Sequence, residues 1–146
     1  MTTSITVAGW MHPKVHTAHP HDSIARAREG CERHRVNQLP VVADGALVGI
    51  ITDRDLRDAF PSIAEEALHP AAAHRETAAV RVEDVMTANV LTIGPTDSVA
   101  RAATLMRKER IGALPVVDGT TLVGILTRSD LLNALIALTS PTRAPA

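Results

Sequence analysis

Two four-residue phrases, Thr52-Asp53-Arg54-Asp55 and Thr127-Arg128-Ser129-Asp130, set a hydroxyl and a carboxylate three positions apart just after an aliphatic run. At the start of a helix this spacing is a capping box, in which each side chain satisfies the backbone N–H of the other residue. That role accounts for the spacing in full. The same geometry also suits a sugar diol, because a helix N-terminus directly behind a strand offers N–H donors and an accepting carboxylate. On the residues alone both chemistries stay open. A second group is His12, His16, His19 and His21. Imidazole is a common metal ligand, but His12 and His16 in a strand would lie about 13 Å apart at roughly 3.3 Å per residue. Pro13 and Pro20 also interrupt the segment, so no metal site is assigned. The sequence offers no nucleophile with its base and no phosphate-cradling glycine loop, so a catalyst is not expected.

The elements that must position the two boxes come in duplicate. Met11–Phe60 laid over Met86–Leu135 at a constant shift of 75 gives about 22 identities in 50, ordered along the whole unit. In the second copy, Val90-Leu91-Thr92-Ile93 reads as a short extended segment closed by Gly94-Pro95, and Asp97-Ser98 offers a helix cap. Val99, Ala102, Ala103 and Met106 follow at helical spacing up to Arg110. Leu114–Val117 and Leu122–Leu126, split by Asp118-Gly119, form a hairpin, and Thr127 opens a last helix through Leu131, Leu132, Leu135 and Leu138. Each unit is therefore β-α-β-β-α. Units are expected over 5–60 and 82–138, with 61–81 a surface linker carrying a helical turn near Ile63–Leu68, and 139–146 a frayed tail. A unit of about 50 residues cannot cover both faces of its sheet, so the two copies are expected to pack together.

Composition narrows the function classes. Fifteen basic residues against sixteen acidic ones give a formal net charge of -1, and the only aromatic residues are Trp10 and Phe60. A nucleic-acid reader needs a basic stripe and stacking rings, so nucleic acid is not an expected partner. No signal peptide or membrane span is read, and the single Cys31 can form no internal disulfide, which points to the cytoplasm. Cys31 aligns with Met106 on the apolar helix stripe and is expected in the core.

Val82-Glu83-Asp84-Val85-Met86-Thr87, the two Leu-Pro-Val-Val runs, and the stretches Gly-Ile-Ile-Thr-Asp-Arg-Asp (49–55) and Gly-Ile-Leu-Thr-Arg-Ser-Asp (124–130) closely resemble a pair of cystathionine β-synthase (CBS) domains. The resemblance covers roughly residues 5–138. It implies an α+β Bateman module: two β-α-β-β-α CBS units packed sheet to sheet with pseudo-twofold symmetry, commonly dimerising. It also implies a cleft between units that binds an adenine nucleotide such as AMP, ADP, ATP, NAD or S-adenosylmethionine as a regulatory ligand, with no cofactor required.

The resemblance assigns Thr52, Asp55, Thr127 and Asp130 to the ribose. The base would meet the first strand of each copy (Met11 to His16, Met86 to Leu91), including Met11, Lys14, His16, Met86, Asn89 and Leu91. It would also meet the residues before the Leu-Pro runs: Val36, Asn37, Gln38, Ile111, Gly112 and Ala113. Where several nucleotide-binding relatives carry a basic residue just before Leu-Pro, this chain has Gln38 and Ala113. His34, Arg35, Arg110, Arg128 and Lys14 are the substitutes at hand. Arg128 has Asp53 as its counterpart, so the two sites are expected to be unequal, with the one beside Arg128 better for AMP-like ligands. The implied role is a stand-alone sensor read by an effector protein. The alternative is a CBS-fold interaction module with no nucleotide ligand. The leucine-rich last helix supports a homodimer, since its apolar residues cover more of the circumference than one core needs.

Overall fold

The computed structural model describes residues 5–141. The chain folds into two bodies, and the division between them does not follow chain order. The first body is Val15–Val90 with Thr120–Leu122. Among the described residues, the second gathers 5–14, Leu91–Gly119 and 123–141. The opening segment of the chain thus belongs with the second repeat, and the segment that opens the second repeat belongs with the first.

In the first body, helix α1 (Ile24–His34) starts where the Ser23 hydroxyl accepts the Arg26 N–H at 3.1 Å, and stops at Arg35 in the left-handed region. Strand β1 (Gln38–Ala43) pairs antiparallel with β2 (Ala46–Thr52), with Gln38 opposite Thr52, Val41 opposite Gly49 and an irregularity at Val41/Val42. Their turn has positive φ at Asp44 and Gly45, the requirement of a type I′ hairpin. Helix α2 (Asp53–Ala59) follows directly. After it come α3 (Ile63–Leu68), α4 (Pro70–Ala79) and the single turn α5 (Val82–Val85).

The second body repeats this order with α6 (Val99–Glu109), β3 (Ala113–Asp118), β4 (Thr121–Thr127) and α7 (Arg128–Thr139). Ser98 caps α6 as Ser23 caps α1, and Arg110 ends it in the left-handed region as Arg35 ends α1. Here only Gly119, the first central residue of the turn, has positive φ, which is the type II′ pattern. The Asp-Gly signal therefore sits one residue early, with Asp118 still in the strand.

Each body has its own core, and the cores correspond at the shift of 75. Ala27, Cys31, Leu39, Val41, Ile51 and Val82 are buried in the first; Ala102, Met106, Leu114, Val116, Leu126 and Val7 take their places in the second. Fully burying an aliphatic side chain of this size contributes about 1.5–3 kcal/mol, so these matched sets account for the conservative spacing of the two copies. Val7 and Val82 show the exchange most clearly, each filling the core of the body built from the other repeat.

Three expectations need correction. The first strand of each unit is not a strand: Met11–His16 and Met86–Leu91 are irregular, and the extended residues beyond them make one parallel bridge apiece, Ala18 with Val41 and Ile93 with Val116. Pro20 and Pro95 close those segments two residues later, and Pro40 and Pro115 in the partner strands have no N–H to extend the ladder. The segment 61–81 holds a second helix, α4, whose Ala73 and Thr77 are buried. Its contact face is built from small residues, so it left no apolar periodicity to read. Finally, α7 runs on to Thr139 with Ser140 at its cap, into the expected frayed tail; 142–146 lie outside the described residues.

Candidate functional site

Both Thr-x-x-Asp phrases sit at strand-to-helix junctions, β2 to α2 and β4 to α7. Thr52 is extended (φ -105, ψ 165), so its side chain leans over the first turn. Its hydroxyl accepts the Asp55 N–H at 3.2 Å, and Asp55 Oδ2 accepts the Thr52 N–H at 2.9 Å. Thr127 and Asp130 repeat the exchange at 3.4 Å and 2.8 Å, and the Thr127 hydroxyl donates to Asp130 Oδ2 at 3.0 Å. The capping reading therefore holds in both copies. What distinguishes them is the other carboxylate oxygen. Asp130 is 2% exposed, and His12 Nε2 lies 2.8 Å from its Oδ1. Asp55 is half-buried, and among the described residues no hydrogen bond reaches its Oδ1.

The exchanged segments decide which predicted residues meet. His12 forms an antiparallel bridge with Ile125 through backbone bonds of 2.9 and 3.0 Å, and Thr87 forms the equivalent bridge with Ile50, 2.9 Å in each direction. These close approaches explain two glycines. A Cβ on Gly124 would lie 2.5 Å from Met11 Sδ and 2.9 Å from the His12 carbonyl oxygen. One on Gly49 would meet Met86 Sδ and the Thr87 oxygen at the same distances. Met11 and Lys14 therefore join Leu91, Ile111, Gly112, Ala113, Thr127, Arg128 and Asp130 in the second body. His16, Met86 and Asn89 join Val36, Asn37, Gln38, Thr52 and Asp55 in the first.

The first helical residue carries the charge difference. Asp53 donates its N–H to the Asn37 carbonyl at 2.7 Å, and its side chain lies 4.0 Å from Arg57, one turn on. Arg128 donates its N–H to the Gly112 carbonyl at 3.1 Å, and its guanidinium folds over Gly112, where a Cβ would sit 3.5 Å from Cζ. A carboxylate suits the positive end of a helix and a guanidinium opposes it. The junction at Arg128 is therefore the more electropositive of the two. Arg128 also borders an apolar groove of about 720 Å³ between α6 and α7, with Val99, Ala103, Leu131 and Leu135.

The histidines do not converge. His12 is held by Asp130, whereas His16 stacks on His34 with ring centroids 3.5 Å apart and planes 8° from parallel. Loss of water around the ring, with the charges of His16 and Arg33 adding to it, lowers the His34 pKa from its ordinary value. Burial, then the charges of Asp53 and Glu32, pushes the Cys31 thiol up, so it is an inert core residue as its alignment with Met106 suggests. Sequence reasoning missed His12 as a site residue. The available signal was its alignment with Thr87 at the shift of 75, had the exchange of segments been known.

A family model described as CBS domain matches residues 7–62 and 82–137, and the chain belongs to the CBS-domain family. A CBS domain-containing protein of Dictyostelium discoideum is 40% identical over 122 residues, covering 79% of this chain and 80% of that protein. Among solved structures, the CBS-pair protein CBSX2 from Arabidopsis thaliana is 30% identical, with a TM-score of 0.81 over 96% of this chain and all of that one. Its structure in complex with AMP gives 0.77 over 92% of this chain and 98% of that one. The CBS domain pair of protein MJ0100, in complex with 5-methylthioadenosine and S-adenosyl-L-methionine, is 30% identical with a TM-score of 0.76, over 94% of this chain and all of that one. The fold is α+β, and among the described residues no helix is long and apolar enough to cross a membrane.

Proposed function

We propose that this chain is a regulatory CBS-pair module, without catalytic activity of its own, that binds an adenosine-type nucleotide at its Thr-x-x-Asp boxes and reports occupancy to an effector protein in the cytoplasm. The observation that carries this reading is the half-buried Asp55 carboxylate, fixed through Oδ2 by the cap and with Oδ1 unpartnered among the described residues. A carboxylate oriented in this way accepts a ribose diol without reorganising. Relatives of the same fold with AMP, and with 5-methylthioadenosine and S-adenosyl-L-methionine, support adenosine as the shared ligand element. The base would lie against Val36–Gln38 with His16, Met86 and Asn89, and in the second body against Ile111–Ala113 with Met11, Lys14 and Leu91.

The two sites differ in what they tolerate next to the ribose. Arg128 attracts a phosphate and Asp53 repels one, so AMP is favoured over adenosine more strongly at the second site than at the first. The α7 face carries Leu132, Leu135, Ile136 and Leu138, each 56–61% exposed, and a homodimer through this face would cover it. Signalling requires only that the nucleotide bind one arrangement of the module better than another.

Thermal unfolding with added AMP, ADP, ATP, NAD and S-adenosylmethionine tests the reading. A ligand present at 100 times its Kd stabilises the folded form by about 2.7 kcal/mol. An unchanged Tm with every nucleotide would instead favour a CBS-fold interaction module whose boxes serve only as caps, a reading that the saturated Asp130 carboxylate supports.

A further inference from the structure

The second box is already occupied by the protein itself. Asp130 Oδ2 takes the Thr127 N–H and hydroxyl, and Oδ1 faces His12 Nε2 at 2.8 Å. The imidazole thus stands within ion-pair distance of that oxygen and fills the approach to it. We propose that His12 is a built-in competitor for the ligand diol at the second site: its imidazole holds the carboxylate oxygen that a ribose would use, and a nucleotide binds there only by displacing it. The inference rests on the nucleotide reading above.

Three features support a displaceable plug over a fixed strut. The backbone of His12 is pinned to Ile125 on both sides of the bridge, so the ring is delivered to Asp130 by β4 itself, two residues before Thr127. The ring is 64% exposed while the carboxylate is 3% exposed, so the imidazole can turn into water without moving the chain. The first site lacks the device: the residue aligned with His12 is Thr87, and Asp55 Oδ1 has no partner among the described residues. A competitor that holds the site nine-tenths of the time raises the apparent Kd about tenfold. The competitor would therefore act on the second box alone, against the attraction that Arg128 offers a phosphate there, and leave the first box unchanged.

The test uses the full chain with Asp55→Ala, which leaves only the second box, and compares it with the same protein carrying His12→Ala. Calorimetric titration should show AMP binding about tenfold tighter when His12 is removed. The gain should vanish for 2′,3′-dideoxy-AMP, which has no diol to take the freed oxygen. His12→Gln, which retains a donor, should stay near the starting affinity. If AMP binds no tighter after His12→Ala while Asp130→Ala abolishes binding, or if the dideoxy ligand gains equally, the competitor is refuted and the nucleotide reading stands. If no variant binds AMP, wild type included, both fall. Should His12→Ala fail to fold, the imidazole ¹⁵N spectrum of the wild type replaces it. The ring nitrogen signals of His12 should change environment at saturating AMP, and an unperturbed His12 would refute the proposal.

Discussion

Each of the two bodies has its own core, a hairpin, a capped helix and a Thr-x-x-Asp box, yet their carboxylates stand in opposite situations. Asp55 is half-buried with one oxygen unengaged among the described residues, and Asp130 is sealed under His12 and Thr127. At the next position the first body offers Asp53 and the second Arg128. The core positions correspond between the copies, some with a change of residue (Cys31 to Met106, Ile51 to Leu126), and around the two boxes the differences fall on the exchanged segment and the first helical turn. Differences at those two places leave both boxes on the same local fold with unlike surroundings. The helix layers have diverged as well. In the first body Ala73 and Thr77 of α4 are buried beside α1, whereas α7 in the second keeps four large apolar residues exposed.

The largest effect that sharpens this comparison should come from the glycines that admit the exchanged segments. Gly49→Ala and Gly124→Ala each place a methyl group 2.9 Å from a backbone carbonyl oxygen that a bridge holds in place. Each should cost about 1–3 kcal/mol in denaturant unfolding, as overpacking does. Equal losses would establish the exchange as symmetric, while a neutral Gly124→Ala would mean that the Met11–His12 segment does not seat on β4.

A smaller effect distinguishes the bodies by pH. The lowered His34 pKa means that the folded chain prefers the neutral ring. The unfolded chain then binds the proton more readily, so the stability tied to this ring is complete above the ordinary histidine range and is lost as pH falls through it toward the lowered value. The second body has Leu91 and Glu109 in place of His16 and His34, so it has no equivalent of this stacked pair. Measuring Tm across that range for wild type and His34→Gln should show a shallower acid loss in the variant; an identical slope would contradict the role of the stacked pair.

Much of the fold was legible because it depends on local pattern. The hairpins, the Ser23 and Ser98 caps and both boxes appear where residue type and spacing put them. The segment exchange was not legible, because a repeat shows which residues correspond and not which copy each one packs against. Helix α4 escaped because Ala73 and Thr77 make a contact too small to print a periodicity. His12 was weighed with its histidine neighbours in sequence, while its actual partner, Asp130, lies more than a hundred residues away. For the site, the two boxes could be found from their own residues, while the segments proposed to meet the base come from the family resemblance alone. Their assignment to bodies needed the three-dimensional arrangement.

The central claim, two unequal nucleotide sites each built on one carboxylate, is tested most directly by calorimetric titration of AMP into wild type, Asp55→Ala and Asp130→Ala. The account predicts two binding events in wild type, with each variant losing a different one, by about 1–3 kcal/mol or more at the altered site. Two identical events would contradict the inequality. Heats that neither variant changes would contradict the assignment of the carboxylates, and with it the account of how this module binds its ligand.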